Sequence, residues 1–297
     1  MSADGRFAPS PTGTLHLGNL RTALLAWLFA RSRDARFLVR MEDLDRGRVR
    51  PGIEEQQLAD LAWLGLDWDG PVVHQSGRMA LYEDALITLR ARGLIYECFC
   101  TRAEIREAAS APHGKAPEGA YPGTCLRLDE ATRKRRRAEG RPPALRVRAD
   151  GARVGFDDGL CGHAEGVVDD FVVRRNDGAF AYNLAVVVDD AAQGVGEVVR
   201  GADLLDSTPR QLWLGEQLRL PAPRHAHVPL MLGDDGMRLA KRHGAVTLED
   251  RRALGEGPED VLRMLASSVG LAEPDERLTA ALLAERFDPR RLAGVPA

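Results

Sequence analysis

The sequence predicts an α/β fold, in which a parallel sheet flanked by helices is interrupted by an inserted segment and followed by a helical C-terminal region. Three observations carry this. Strand-like and helical apolar spacings alternate over residues 5–92, a stretch rich in cysteine, proline and glycine breaks the alternation at 97–170, and apolar positions beyond Lys241 fall on a helical face.

Residues 5–8 read as a short strand, which Pro9 and Pro11 end because neither can donate to a ladder. Leu17, Leu20, Leu24, Trp27 and Leu28 recur at helical spacing, so a helix begins at or just before Gly18 and runs to about Arg31. Residues 36–41 form a buried strand. Helices follow at 53–64 and 77–92, the second closed by Gly93. Segment 97–170 carries the cysteines, three of them close together, with a Pro/Gly-rich stretch at 112–123 and the basic run Arg133-Lys134-Arg135-Arg136-Arg137. Strands at 171–174, 180–188 and 197–200 resume the sheet, with Asp189 and Asp190 marking a turn after the second. A helix then spans about Thr208 to Leu218, with Ser207 as its N-cap. Val261, Leu262, Met264, Leu265 and Val269 form one apolar face near the end. The expected units are thus 1–96 and 171–240 as two halves of one domain, 97–170 as an insertion, and 241–297 as a helical region.

The 297 residues are 44% hydrophobic, enough for a sizeable core, which excludes a disordered or fibrous chain. With 41 basic against 44 acidic residues the net charge is -3, so any nucleic-acid contact must come from local patches. The apolar stretch 24–30 is bracketed by Arg21 and Arg31 and is too short to span a bilayer, and residues 1–14 read as a short strand and a Pro/Gly loop, so no signal peptide is expected. No membrane partner and a cytoplasmic location are expected. In a reducing compartment Cys98, Cys100, Cys125 and Cys161 favour metal ligation or free thiols over disulfides. Lysine occurs only at 115, 134 and 241.

Two clusters carry candidate chemistry. In Arg6-Phe7-Ala8-Pro9-Ser10-Pro11-Thr12-Gly13-Thr14-Leu15-His16-Leu17-Gly18-Asn19 a strand ends, a loop follows and a helix begins. Free N–H groups at a helix start attract phosphate, glycine permits close approach and an imidazole can donate to a phosphate oxygen, although the same residues also suit an ordinary turn. The second cluster, Arg238-Leu239-Ala240-Lys241-Arg242-His243-Gly244-Ala245, is a basic loop.

Together these clusters resemble the two signatures of the class I aminoacyl-tRNA synthetases. His16-Leu17-Gly18-Asn19 is similar to His-x-Gly-His, with Asn19 for the second histidine, and Lys241 keeps the essential lysine of the Lys-Met-Ser-Lys-Ser loop, while Arg238 and Ala240 depart from it. The stretches Arg40-Met41-Glu42-Asp43-Leu44-Asp45, Phe180-Ala181-Tyr182-Asn183 and Val199-Arg200-Gly201-Ala202-Asp203 resemble the glutamate-specific branch in the same order. The resemblance implies a Rossmann-like catalytic domain that joins L-glutamate to ATP, with magnesium accompanying the nucleotide. It implies His16 and Lys241 as catalytic residues and His16, Gly18, Asn19 and Lys241 as the ATP contacts. Arg6, Phe7, Ala8, Pro9, Ser10, Glu42, Tyr182 and Arg200 are the implied glutamate site: two carboxylates need arginines and one ammonium needs an acid.

Cys98-Phe99-Cys100 followed by Cys125 places three thiols where one structural zinc could bind, free buried thiols being the alternative. The resemblance implies Tyr121 as fourth ligand, and His113 and the Cys161/His163 pair compete for that place. About fifty-five residues follow Lys241, too few for the anticodon-reading domain of a full glutamyl-tRNA synthetase, so the resemblance is to the short stand-alone paralogues. These activate glutamate without tRNA and attach it to queuosine of tRNA(Asp). Glutamylation of another acceptor and an inactive RNA-binding paralogue stay open. Arg133 to Arg137 suit either phosphate contact or a solvated helix face.

Overall fold

A computed structural model describes residues 4–101, 103–105, 121–140, 142–233, 235–237, 239, 244 and 246–292. The chain enters as β1 (Gly5–Phe7) and crosses through α1 (Leu17–Arg31) to β2 (Phe37–Met41), then through α2 (Ile53–Trp63) to β3 (Val73–His74). Both strand pairs are parallel, as crossovers through helices require. After α3 (Met79–Ala91) come β4 (Ile95–Cys98), α4 (Glu130–Ala138), β5 (Ala144–Val147), the hairpin β6 (Arg153–Asp158) and β7 (Gly162–Val167), and β8 (Val172–Arg174). The chain then runs through α5 (Tyr182–Gln193), β9 (Glu197–Gly201), α6 (Thr208–Leu218) and β10 (Arg224–Val228). It continues as α7 (Leu248–Ala253), α8 (Pro258–Ser267) and α9 (Ala280–Glu285).

Strands β9 and β10 form a second parallel pair. The Asp4 carbonyl accepts from Gly196 N at 2.9 Å and Glu197 N at 3.2 Å, which sets the start of β9 beside β1. From this juncture the chain leaves β1 toward β2 on one side and β9 toward β10 on the other. The crevice beyond the C-terminal ends of two such strands is where open α/β sheets bind ligands.

Helix α1 explains why this layer is stable. Leu20, Ala23, Leu24, Leu25 and Leu28 are fully buried, and the helix is apolar on nearly every side because it lies between the parallel strands and the C-terminal helices. Val261, Leu262 and Leu265 of α8 join that core, so the region beyond Lys241 packs directly on α1.

Two expectations for the middle of the chain are corrected. The apolar run at 180–188 forms a helix, α5, closed by Gly194 at φ 71°. Its three consecutive valines favour strand, but the helical turn carries Leu184, Ala185 and Val188 into a core with Tyr82, Phe180 and Trp213, and that burial outweighs the local preference. Only Phe180 keeps a strand-like bridge, to Arg174. Strand β8 does not resume the parallel sheet: it pairs antiparallel with β5 in the order β4-β5-β8. Among the described residues no helix is long and apolar enough to cross a membrane.

Candidate active site

At the juncture of β1 and β9 lies a cleft of about 190 Å³. Arg6, Phe7 and Ala8 reach it from the end of β1, His16, Gly18 and Asn19 from the start of α1, Glu42 from just beyond β2, Tyr182 from the first turn of α5, and Arg200 from β9. These expected residues therefore converge. Pro9 and Ser10 do not line the cleft. They support its floor through backbone carbonyls, Pro9 accepting from Glu42 N at 2.9 Å and Ser10 from Gln57 Nε2 at 3.0 Å.

The start of α1 is a reciprocal cap. Asn19 N donates to His16 Nδ1 at 3.3 Å, and His16 N donates to Asn19 Oδ1 at 3.3 Å. With Nδ1 accepting, the ring proton belongs on Nε2. Asn19 thus does what a histidine at this position would not need charge to do: it fixes the imidazole at the helix N-terminus. A Cβ on Gly18 would meet the His16 ring at 3.1 Å, so a larger residue 18 would push the ring off this turn by a few tenths of an ångström.

The residues just beyond the second signature are tied to the first, and Leu239 within it to the cleft. Leu17 N donates to the Val246 carbonyl at 2.7 Å, Thr247 bridges His16, and Leu239 N donates to the carbonyl of Met231, which lines the cleft. Lys241 itself, with Arg238, Ala240, Arg242 and His243, lies outside the described residues.

Charge in the cleft is arranged in two ways. On one wall Asp190 Oδ1 takes both Arg6 Nε, at 3.3 Å, and Arg40 Nη1, at 2.8 Å. Arg40, fully buried, also stands 3.6 Å from Glu42 and 3.7 Å from Asp189. Asp189 in turn accepts from Gln75, Arg78 and Tyr82. Asp189 and Asp190 are therefore buried counter-ions on the inner face of α5, and the expectation that they mark a turn is corrected. Burial pushes the Glu42 carboxyl up to about 6 against the opposing pull of Arg40 and Arg6.

Arg200 is held differently. It is 4% exposed and donates to His227 Nε2 at 3.0 Å, Gln211 Oε1 at 2.7 Å, Thr208 Oγ1 at 2.8 Å and the Leu204 carbonyl at 3.4 Å. Every one of these acceptors is neutral. Among the described residues it makes no ion pair within 4 Å, so its charge is available to an anion in the cleft. A Cβ on the neighbouring Gly201 would meet Asp203 Oδ1 at 2.6 Å and Leu230 at 3.1 Å, which keeps this wall narrow.

Behind Arg200, His227 Nδ1 lies 2.6 Å from Asp158 Oδ2. Burial alone would raise the Asp158 carboxyl. Bonds from His227 and from the N–H groups of Cys161, His227 and Leu160 outweigh it and hold the group well below the usual carboxylate range. Burial, with Arg200 nearby, pushes His225 down to about 3 and keeps it neutral. Asp158, Asp189, Asp190, Gln211 and His227 were not legible as site residues, since each acts through a partner distant in sequence. The one available signal was the Gly194 stop, which favours helix over strand before it.

The cysteines also converge. The Cys98, Cys100 and Cys125 sulfurs lie within 4.8 Å of one another, and the Tyr121 hydroxyl is 3.4 Å from Cys98 Sγ and 3.5 Å from Cys100 Sγ. Hydrogen bonding with Cys98 is the largest influence lowering the Cys125 thiol, to about 6. The Tyr121 ring is fixed from behind by the Arg146 guanidinium, 3.8 Å from its centroid. Cys161 and His163 are engaged elsewhere, with the His227 carbonyl and Asp157. His113 lies outside the described residues.

This geometry has close counterparts. Residues 3–283 match the model of the tRNA synthetases class I (E and Q), catalytic domain. The chain is 61% identical over 292 residues to a glutamyl-Q tRNA(Asp) synthetase of Nocardia farcinica, covering 98% of this chain and 91% of the relative. It is 52% identical over 304 residues to one of Symbiobacterium thermophilum, covering 98% and 94%. The crystal structure of a glutamate tRNA ligase from Elizabethkingia meningosepticum in complex with its amino acid superposes with a TM-score of 0.85 at 29% identity, covering 100% of this chain and 67% of that one. With a parallel-strand juncture, a capped histidine signature and a charged cleft all in that family's order, the chain belongs to the class I tRNA synthetases of the glutamate and glutamine group.

Proposed function

We propose that this chain activates L-glutamate with ATP and Mg²⁺ to glutamyl adenylate without tRNA, then transfers the glutamyl group to queuosine in the anticodon loop of tRNA(Asp). The observation that carries the first half is Arg200: a buried cation with no ion pair within 4 Å among the described residues, lining one cleft with Arg6 and Glu42. An unpaired buried charge is costly, and a substrate carboxylate relieves that cost. The names of the relatives at 61% and 52% identity support the acceptor.

In this reading Arg6 and Arg200 take the carboxylates, Glu42 takes the ammonium, and Tyr182 offers its hydroxyl at the entrance. Glutamate's own α-carboxylate attacks the α-phosphorus of ATP and pyrophosphate leaves, so the protein supplies position and charge, not a nucleophile. His16 with its Nε2 proton, the Gly18 and Asn19 turn, and Lys241 contact the nucleotide. Magnesium accompanying the nucleotide would neutralise charge on its phosphates. In the second step a cyclopentenediol hydroxyl attacks the acyl carbon and AMP leaves. Unstacked loop bases are the usual targets of specific RNA recognition.

In the unit 97–170, Cys98, Cys100, Cys125 and Tyr121 would hold one structural zinc. Three sulfurs and a phenol oxygen at one point suit a closed four-coordinate site, with no step of the reaction assigned to it. The remaining units are the two catalytic halves, 1–96 and 171–240, and the helical region 241–297.

Glutamate-dependent ATP–pyrophosphate exchange with tRNA omitted tests activation. Labelled glutamate should then appear on tRNA(Asp) from queuosine-containing cells and not on tRNA from cells lacking that base. Exchange with equal labelling of both would leave another acceptor. No exchange under any condition would leave an inactive RNA-binding paralogue.

A further inference from the structure

The β6–β7 hairpin is remote in sequence from β9, yet its last β6 residue ends beneath the arginine of the cleft. Asp158 and His227 have fully buried side chains. Asp158 Oδ1 is saturated by three backbone donors: Leu160 N and Cys161 N at 3.0 Å and His227 N at 3.1 Å. That leaves Oδ2 for His227 Nδ1, at 2.6 Å. A carboxylate here can only accept, so the imidazole proton sits on Nδ1 and the Nε2 lone pair faces outward. Onto that lone pair come Arg200 Nε at 3.0 Å and Thr208 Oγ1 at 3.2 Å.

We infer that Asp158 and His227 are positioning residues for the Arg200 guanidinium, so that the inserted hairpin orients the cation that takes the substrate carboxylate. The inference rests on the proposed reading of Arg200.

A relay has a physical advantage over a direct aspartate–arginine pair. A carboxylate touching Arg200 would neutralise it and compete with the substrate, whereas an imidazole acceptor fixes its plane and leaves its charge in place. Gln211 and Thr208 hold the other two nitrogens from α6. Gln211 Nε2 then donates to Asn183 Oδ1 at 3.1 Å, next to Tyr182, so the same network reaches a second wall of the cleft. By contrast Arg6, on β1, is held by a carboxylate directly. The two arginines therefore differ in partner: Arg6 bonds a carboxylate, and Arg200 has none within 4 Å among the described residues.

The test uses the full chain in tRNA-free pyrophosphate exchange, with Michaelis constants for glutamate and for ATP measured separately and thermal melting as a check on folding. Asp158→Asn keeps the shape but can present an N–H to His227 Nδ1, which turns an Nε2 proton against Arg200. It should raise the glutamate KM by about tenfold or more, the range for losing a bond to a charged group, with the ATP KM within about twofold. His227→Leu should do the same, and the double variant should be no worse than either single one, because both break one chain of bonds. His227→Gln, which can still accept from Arg200, should recover most of the loss. A glutamate KM unchanged in Asp158→Asn, or KM values for both substrates rising together with a fall in melting temperature, would overturn the positioning role. Arg200→Ala separates the two readings. If it too leaves the glutamate KM unchanged, the assignment of Arg200 fails; if only the relay variants are silent, the relay alone fails.

Discussion

Asp190 Oδ1 stands 3.3 Å from Arg6 Nε although 184 residues separate them, and the same oxygen takes Arg40 Nη1 at 2.8 Å. One carboxylate on α5 thus sets a cleft arginine of β1 against a wholly buried one of β2. Arg6→Ala should raise the glutamate KM by about tenfold or more with little loss of fold, because Asp190 keeps Arg40 as partner. Asp190→Asn should instead destabilise by about 3 kcal/mol or more, since Arg40 and Arg6 both lose their anion in a buried setting. Chemical denaturation of the two variants checks the contrast, and equal stabilities would contradict it.

Glutamate binding should depend on pH through Glu42, whose carboxyl burial pushes up to about 6. Because this value lies above that of the unfolded chain, the group's contribution to stability is present below about 4.5 and is lost as pH rises through 6. The ionised form that meets an ammonium exists above 6. The glutamate KM should therefore be flat above pH 6.5 and climb by up to about tenfold per unit below 6, while the ATP KM, referred to its own titration, lacks that break. A Glu42→Gln variant with the same break at pH 6 would assign it to another group.

Freshly purified protein should contain about one zinc per chain, by the ligand set of three sulfurs and one phenol oxygen. Replacing Cys98, Cys100 and Cys125 together by serine should abolish it and loosen 97–170 toward proteolysis, because metal affinity at such a site is also folding free energy. Tyr121→Phe should weaken zinc retention against a chelator without eliminating it. Elemental analysis that finds the metal intact in the triple variant would place it elsewhere.

Lys241→Ala should lower the exchange rate by about a hundredfold with an unchanged melting temperature, as expected for a cation that acts on charge developing in the transition state. A variant that exchanges at the normal rate would remove Lys241 from the reaction.

Much of the site was readable without a structure, because its parts are local. His16, Gly18 and Asn19 sit within one helical turn, Cys98 and Cys100 are two residues apart at the end of β4, and helices α1, α2, α3 and α6 follow apolar spacing, with Gly93 stopping α3. By itself the sequence determined the two signatures, the cysteine set and the arginines and acid suited to an amino acid with two carboxylates. Tertiary structure alone decided that 182–193 is a helix, since three valines suit either form until Tyr82, Phe180 and Trp213 give one face a core to join. It alone decided the roles of charge as well: Asp189 and Asp190 become buried counter-ions, Arg40 is spent on them, and Arg200, with no ion pair within 4 Å among the described residues, is held by His227, which Asp158 holds in turn. Asp158 meets His227 across 69 positions and Arg6 meets Asp190 across 184, and no local pattern encodes which of such groups will meet.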